Sequence, residues 1–223
     1  MPIPPKKDNL APKTARERVY TELKQWIIDG TLQPDEKLSD HELAAYFSVS
    51  RTPVREAMQL LADQRLIYIY PGKESRVAPI DFEQASQAYQ IIAQLYSLAL
   101  EFAYPHINDA FLAELRNINR QFSQQFSSPN TAEAHRLDKQ FHSLFLKLAP
   151  NEFLSNFINI LDCHVERSER LYYNSAVTRK DSYNQHEAII QALERKDLPN
   201  AIEKTKENWL NTLDKMQLKE HSL

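Results

Sequence analysis

Hydrophobic positions change their spacing twice along this chain, and each change announces a new kind of element. Between Thr14 and Asp29, Val19, Leu23, Trp26 and Ile27 recur at helical spacing, with Gly30 as a natural stop. This predicts a first helix with one inner stripe. The next stretch, LSDHELAAYFSVSRTPVREAMQLLADQRLIYIYPGKESRV from Leu38 to Val77, fits two shorter helices and a hairpin. Ser39 and Glu42 form the S-x-x-E pattern of a capping box, and Leu43, Ala44 and Phe47 share the face that follows. Ser48-Val49 makes a turn. Ser50 is placed to cap a second helix, with Pro53 tolerated in its first turn because those N–H groups have no helical partner. Val54, Met58 and Leu61 line its inner side. Leu66-Ile67-Tyr68-Ile69-Tyr70 is β-prone, Pro71-Gly72 is a turn dipeptide, and Arg76-Val77-Ala78 can return as a second strand.

Beyond Pro79-Ile80 the strand-like patterning ends and long amphipathic segments take over. They predict helices over Phe82–Tyr104, Asn108–Phe126, Ala132–Leu148, Glu152–Tyr173, Ser182–Lys196 and Pro199–Leu218. Breaks fall at Pro105, Ser127–Asn130, Pro150-Asn151, Asn174–Asp181 and Asp197–Pro199. The predicted fold class is mainly α: an N-terminal winged helix-turn-helix over 14–80, then a six-helix antiparallel bundle over 81–223. Residues 1–13, rich in proline and lysine, predict a flexible arm in which Lys6, Lys7 and Lys13 are solvated or touch phosphates.

Composition narrows the class. The chain has 223 residues, 42% of them hydrophobic, so it is globular and long enough for two cores. Only Gly30 and Gly72 are glycine, which excludes a glycine-rich phosphate loop. The single cysteine, Cys163, permits no intrachain disulfide and fits a reducing cytoplasm. No apolar run approaches the ~18 residues of a membrane span, and no signal-peptide core leads the chain. The net charge is −3, unevenly divided: residues 1–80 carry 12 basic and 11 acidic side chains, the remainder 15 and 19. Basic character is therefore concentrated at Lys37, Arg51, Arg55, Lys73 and Arg76, as suits a compact specific reader of DNA rather than a broad coater.

Those cations fall where chemistry needs them. Arg51 and Arg55 lie four apart, on one face at the start of the second short helix. Two helices joined by a tight turn, the second presenting arginines, is the arrangement that enters the DNA major groove. A guanidinium fork grips phosphate or the O6/N7 edge of guanine. The hairpin then reads as a wing whose Lys73 and Arg76 reach the backbone or minor groove. The bland alternative is a helical hairpin with a solvated charged face, which requires cap, turn, paired arginines and hairpin to coincide by chance. Within the bundle, Asp138 and His142 point the same way from the third helix, His186 lies on the fifth and Asn208 on the sixth. A carboxylate and two imidazoles from two helices can hold a divalent ion. The alternative is a buried Asp–His hydrogen bond.

The segment LSDHELAAYFSVSRTPVREAMQLL, and VSRTPVREA above all, closely resembles the signature of the GntR family of bacterial transcription regulators. The resemblance covers about residues 14–80. It implies that Lys37, Ser50, Arg51, Thr52, Arg55 and the wing-tip Gly72 stand where relatives contact operator DNA. Relatives usually have Pro-Gly ahead of the position of Lys37; here Pro34-Asp35 replaces it, which predicts a stiffer loop with the contacts untouched. Downstream, Asp138-Lys139-Gln140-Phe141-His142 and the Q-H-E-A-I-I segment at His186 are similar to the FCD domain of the FadR-like branch, with a helix number like the VanR-like subgroup. Many FCD domains hold a metal with one Asp and three His. The resemblance implies Asp138, His142 and His186 as three ligands, and aligns Asn208 with the fourth, where the family has His. An amide oxygen is a harder, weaker donor than imidazole. The implied site therefore holds zinc or nickel loosely, favours a harder ion such as manganese, recruits water, or holds no metal. In the first bundle helix, Ile92 and Tyr96 replace an R-x-x-x-E pattern whose Arg often helps hold carboxylate effectors. Arg167 and Arg170 then remain as candidate pocket cations, each also readable as a surface charge. Cys163 and His164 read as packing residues, and Tyr172 and Tyr173 as core or pocket.

The resulting expectation is a ligand-responsive regulator in a bacterial cytoplasm. A homodimer would read a palindromic operator, and a small-molecule effector, an organic acid among the candidates, would bind in the bundle. Two alternatives stand beside it: a metal-dependent enzyme using Asp138, His142 and His186, and an architectural DNA-binding protein without effector.

Overall fold

A computed structural model describes residues 14–70, 74–128, 131–149, 151–172 and 176–220. The N-terminal arm with Lys6, Lys7 and Lys13, the turn residues Pro71, Gly72 and Lys73, and Tyr173 lie outside the described residues. The chain divides into two compact units, residues 1–79 and 80–223.

The first unit holds α1 (Ala15–Asp29), β1 (Lys37–Leu38), α2 (Asp40–Phe47), α3 (Arg51–Asp63), β2 (Ile67–Ile69) and β3 (Ser75–Val77). Helix α1 begins at a complete capping box: Thr14 accepts from the Glu17 N–H, and Glu17 accepts from the Thr14 N–H at 2.8 Å. The box expected at Ser39 is only half made, since Ser39 accepts from the Glu42 N–H but Glu42 does not return the bond. Ser50 takes the N-cap position of α3 with extended backbone, yet its side chain makes no capping bond. The reason is Pro53, which occupies the third helical position and has no N–H to offer. The turn between α2 and α3 closes as a Schellman motif. Ser48 is left-handed at φ 55°, its N–H bonds to Ala45 O, and the Val49 N–H bonds to Ala44 O.

Val19, Leu23, Ile27, Ala44, Phe47, Val54, Met58 and Leu61 are all buried, as their spacing predicts. Trp26 stacks on Phe47 at 5.5 Å. Arg18 ties α1 to the end of α2 by donating to Phe47 O at 2.8 Å. The hairpin is present, with Ile67 opposite Val77 and Ile69 opposite Ser75. A third strand, β1, was not foreseen. It pairs with β3 through Lys37 and Arg76, giving the order β1-β3-β2, and two residues are too few to show an alternating pattern. Asp35 adopts φ 64° and donates its N–H to Val77 O at 3.1 Å. Asp is among the few residues whose short polar side chain tolerates this region.

The second unit is helical throughout its described residues: α4 (Phe82–Ala103), a 3-10 turn at Tyr104–His106, α5 (Asp109–Ser123), α6 (Thr131–Leu148), α7 (Glu152–Tyr172), α8 (Ala176–Glu194) and α9 (Leu198–Glu220). Helix α4 packs against α6, α7 and α9; α5 packs against α6 and α8, and α8 against α9. Buried alanines at 85, 88, 93, 99 and 103 let neighbours approach α4 closely. One boundary departs from expectation: α8 begins six residues before Ser182. The polar run there read as a break, but Arg179 turns inward, is buried, and donates to Phe126 O at 2.7 Å. Among the described residues no helix is long and apolar enough to cross a membrane.

Gly30 ends α1 at φ 74°. Gly30→Ala should destabilise the fold by about 1 kcal/mol, because a Cβ there crowds the following carbonyl oxygen. A urea titration followed by circular dichroism should place its transition below that of wild type; an unchanged transition means this position is not held left-handed.

Candidate functional site

Two groups of side chains gather chemistry, one in each unit. In the first unit, α3 presents Arg51, Thr52 and Arg55, all exposed. Both arginines already have a partner within the unit. Arg51 donates through Nη2 to both carboxylate oxygens of Asp40 at 2.9 Å, and Arg55 donates through Nε to the same group. Partial burial pushes the Asp40 carboxyl up, but bonds from Arg55 and Arg51 and their charges outweigh it and hold it below the usual range. Lys37 pairs with Glu74 at 2.7 Å, and Arg76 pairs with Glu74 while donating Nη1 to Asp35 O at 2.9 Å. Bonds from Lys37 and then Arg76 lower the Glu74 carboxyl. Lys37, Asp40, Arg51, Arg55 and Glu74 line one open groove. The predicted residues Lys37, Ser50, Arg51, Thr52, Arg55 and Arg76 are thus placed, while Gly72 and Lys73 fall outside the described residues. Sequence reasoning missed Asp40 and Glu74, whose partners are brought together by the turn and by strand pairing rather than by helical spacing.

In the second unit, Asp138, His142 and His186 converge, their nearest donor atoms all within 4.8 Å of one another. Helix α6 supplies the first two from successive turns, and α8 supplies the third. His186 Nε2 lies 3.3 Å from His142 Nε2 and 3.4 Å from Asp138 Oδ1. Both imidazoles are buried. Burial drives the His142 pKa down to about 3, countered only by the neighbouring Asn208 amide. Burial, followed by the charge of His142, lowers His186 well below its ordinary value. Both rings are therefore neutral at pH 7, the form that offers a lone pair. The Asp138 side chain keeps 27% of its exposure, yet desolvation by the surrounding chain, then the Glu169 charge, pushes its carboxyl up to about 7. Aromatic rings wall the pair: Phe141 stacks on His186 at 4.0 Å, and Trp209 lies 4.9 Å from His142.

The two separations from His186 fit a divalent ion in spacing. A tetrahedral centre with bonds of about 2.0–2.1 Å separates neighbouring donors by about 3.3–3.4 Å. They also fit a metal-free trio in which one Nε2–H, or a protonated Asp138, bridges the gap. His142 Nδ1, buried without a hydrogen-bond partner, suits the metal-free trio as a bare lone pair. Asn208 is buried beside His142 and donates Nδ2 to Gln185 Oε1 at 2.8 Å.

The effector residues expected from sequence are dispersed. Ile92 is buried in the core, and Tyr96 is buried, stacked on Trp209 at 4.8 Å and 5.5 Å from His142. Burial, then the charges of Asp162 and Asp138, raises the Tyr96 hydroxyl well above its usual value. Arg167 is buried rather than a surface charge, whereas Arg170 is exposed. Neither lines the small cleft, about 10 Å³ in volume and partly open to solvent, that borders Asp138; its walls are Phe122, His135, Asp138, Glu169 and Arg179, with Thr131 and Ala134. Arg179 is the cation that sequence reasoning missed, because its segment looked like a loop. Glu169 holds the opposite wall, accepting from the Tyr89 hydroxyl at 3.0 Å and facing His135 Nδ1 at 3.6 Å.

Residues 15–77 match the family described as "Bacterial regulatory proteins, gntR family", and residues 87–208 match the FCD domain. The chain is 31% identical over 191 residues to an HTH-type transcriptional regulator in an unstable DNA locus of Streptomyces ambofaciens, covering 85% of this chain and 79% of the relative. It is 24% identical to the gluconate operon transcriptional repressor of Bacillus subtilis, covering 90% and 84%. The fold is shared with the solved structure of Escherichia coli McbR/YncC, at a TM-score of 0.77 and 19% identity, covering 93% and 99%. The matched families and these relatives are regulators, which removes the enzyme alternative. The paired helices with their winged sheet and the helical unit that follows them in the chain thus have one common origin: this chain belongs to the GntR family of bacterial transcriptional regulators and carries an effector-binding FCD domain.

Proposed function

We propose that this regulator acts as a cytoplasmic homodimer that represses from a palindromic operator, with an anionic effector and a divalent ion sharing the α6–α8 region of residues 80–223. Residues 14–80 are the reading head and residues 81–223 the sensor. The observation that carries this reading is the meeting of Arg179, Asp138 and the histidine pair around a small cleft, which would have to widen to admit an effector. The Arg179 guanidinium is buried and leaves Nε without a hydrogen-bond partner, while the buried histidine pair adjoins the other side of Asp138. A small organic acid would meet the guanidinium at one end and a cation at the other. Asp138, His142 and His186 would hold that ion, with the Asn208 amide oxygen as the weaker fourth donor. The ion supplies fixed positive charge for an anion; the chain's own residues orient and desolvate it. An effector shifts the reading heads only by binding one arrangement better than the other.

Operator contact is assigned to Arg51 and Arg55, with Lys37, Ser50, Thr52, Gly72, Lys73 and Arg76 around them. Arg51→Ala and Arg55→Ala should each weaken binding to a duplex selected by the wild type from a randomised pool by about 1–3 kcal/mol. Asp40→Ala should act in the opposite sense on random-sequence DNA: it frees two positive charges, raises that affinity and lowers discrimination. Fluorescence anisotropy at two salt concentrations reads both. Wild-type binding by the two arginine variants would refute the assignment.

Dimer formation is supported by apolar side chains left on the surface of α4 and α7. Ile91, Leu98 and Phe102 are 51%, 37% and 42% exposed; Phe153 and Phe157 are 79% and 59% exposed. Leu95 is instead partly buried against the core. A second copy covering these rings would remove them from water. Light scattering of the full chain at micromolar concentration should give a dimer, and Ile91→Glu with Phe102→Glu a monomer. A wild-type monomer would overturn this assembly.

The metal reading is tested by heat. In chelator-treated protein, the melting temperature should rise with zinc or nickel, because an ion that binds only the folded state stabilises it by mass action. Asn208→His should lower the concentration required, and His142→Ala should abolish the response. A wild type indifferent to both ions, and to manganese, leaves Asp138 and His142 in a metal-free pocket.

A further inference from the structure

Asn119 is fully buried on α5, and every polar atom of its side chain is engaged. Its Nδ2 group donates to Glu187 Oε1 at 2.8 Å and to Tyr183 O at 3.3 Å. Both neighbours are acceptors, so the amide cannot be turned end for end without losing two bonds. Its Oδ1 therefore faces His186 Nδ1 at 3.0 Å, and an amide oxygen only accepts. The hydrogen must be on His186 Nδ1. In a neutral ring the lone pair is then on Nε2, the atom that faces His142 Nε2 and Asp138 Oδ1. Glu187 is fixed in turn by Arg116, which donates Nη1 to Glu187 Oε2 at 3.2 Å and two further bonds to Glu194.

We infer that Asn119 is a positioning residue for His186: the relay Arg116–Glu187–Asn119 selects the Nδ1–H tautomer and aims the Nε2 lone pair at the ligand of the α6–α8 site. The partner group on a ligating histidine is commonly a carboxylate, a backbone carbonyl or water. Here it is a neutral amide, with the carboxylate displaced one step outward. The relay spans α5 and α8, so the aim of His186 depends on how these two helices pack. The functional weight of this assignment rests on the metal reading above. The tautomer itself does not.

The test separates the two. Full-length protein labelled with ¹⁵N-histidine and stripped with chelator is examined at neutral pH by long-range ¹H–¹⁵N correlation, and zinc binding is measured by calorimetry. In the wild type His186 should be the Nδ1–H tautomer. Asn119→Leu, with the same branching and number of heavy atoms but unable to accept, should lose that bias and bind zinc about 10- to 100-fold more weakly. Asn119→Asp combined with Glu187→Gln restores an acceptor held by a donor, and should recover the tautomer and most of the affinity. A merely structural role would not be rescued in this way. An Nε2–H tautomer in the wild type overturns the proposal, as does an Asn119→Leu protein that keeps the tautomer or binds zinc within twofold of wild type. If the wild type binds no zinc, the metal reading fails, and the tautomer of His186 in wild type and variants alone decides: its dependence on Asn119 supports the relay, its independence refutes it. Should Asn119→Leu fail to fold, the wild-type spectrum and the double variant still decide.

Discussion

The second unit depends on one constraint: polar groups placed in a helical core must find partners there. His142, His186, Asn119, Asn208, Arg167 and Arg179 are all buried in a unit whose other interior residues are mainly apolar. A buried amide or imidazole without a partner costs about 1–3 kcal/mol, so each such group dictates what must stand opposite it. Asn119 satisfies His186 and is satisfied by Glu187; Arg179 reaches the Phe126 carbonyl; Asn208 reaches Gln185. The α5–α8 crossing carries two of these pairings and the α8–α9 crossing one, while Arg179 ties α8 to the turn that follows α5. Apolar packing brings the helices together, and the polar pairings decide their register, since a slide of one turn would leave several donors bare.

The same logic links fold to regulation. A metal centre of the kind proposed would draw two ligands from α6 and one from α8, and would tie these helices only when all three are correctly aimed. Asp138 contributes the tunable part: its carboxyl, held near 7 by desolvation, is the group that can be ionised or neutral at physiological pH. Arg179 lies on α8 as well, seven residues before His186, so an anion bound at the cleft and a cation bound at the histidines would act on one helix. That shared helix is the physical element through which one ligand can influence the other.

Much of this was legible in the chain and some was not, for definite reasons. The helix-turn-helix declared itself because Val54, Met58 and Leu61 and their counterparts on α1 have only one way to be buried together. The Asp138–His142 pair declared itself through four-residue spacing, and His186 through resemblance. What escaped reading were contacts set by tertiary geometry. Asp40 meets Arg51 and Arg55 across a turn, Asn119 meets His186 from a helix with no chemical motif, and Arg179 hid in a run polar enough to pass for a loop. Local rules also yielded to neighbours: the cap expected of Ser50 is not made beside Pro53, which lacks an N–H at the third helical position, and Asp35 bends to φ 64° although it is not glycine.

The carboxylate of Asp40 bears on how this protein finds its site in a genome. Long stretches of DNA attract a reading head through field alone, and a strong field prolongs each chance encounter. Here two recognition arginines share one carboxylate, and Lys37 and Arg76 share another. Four cations share two carboxylates, so the surface keeps a positive field, weaker than the cations alone would give. If this is the surface that meets DNA, its hold on unrelated sequence would be correspondingly shorter, and a duplex would have to offer the arginines something better than Asp40 to detain it.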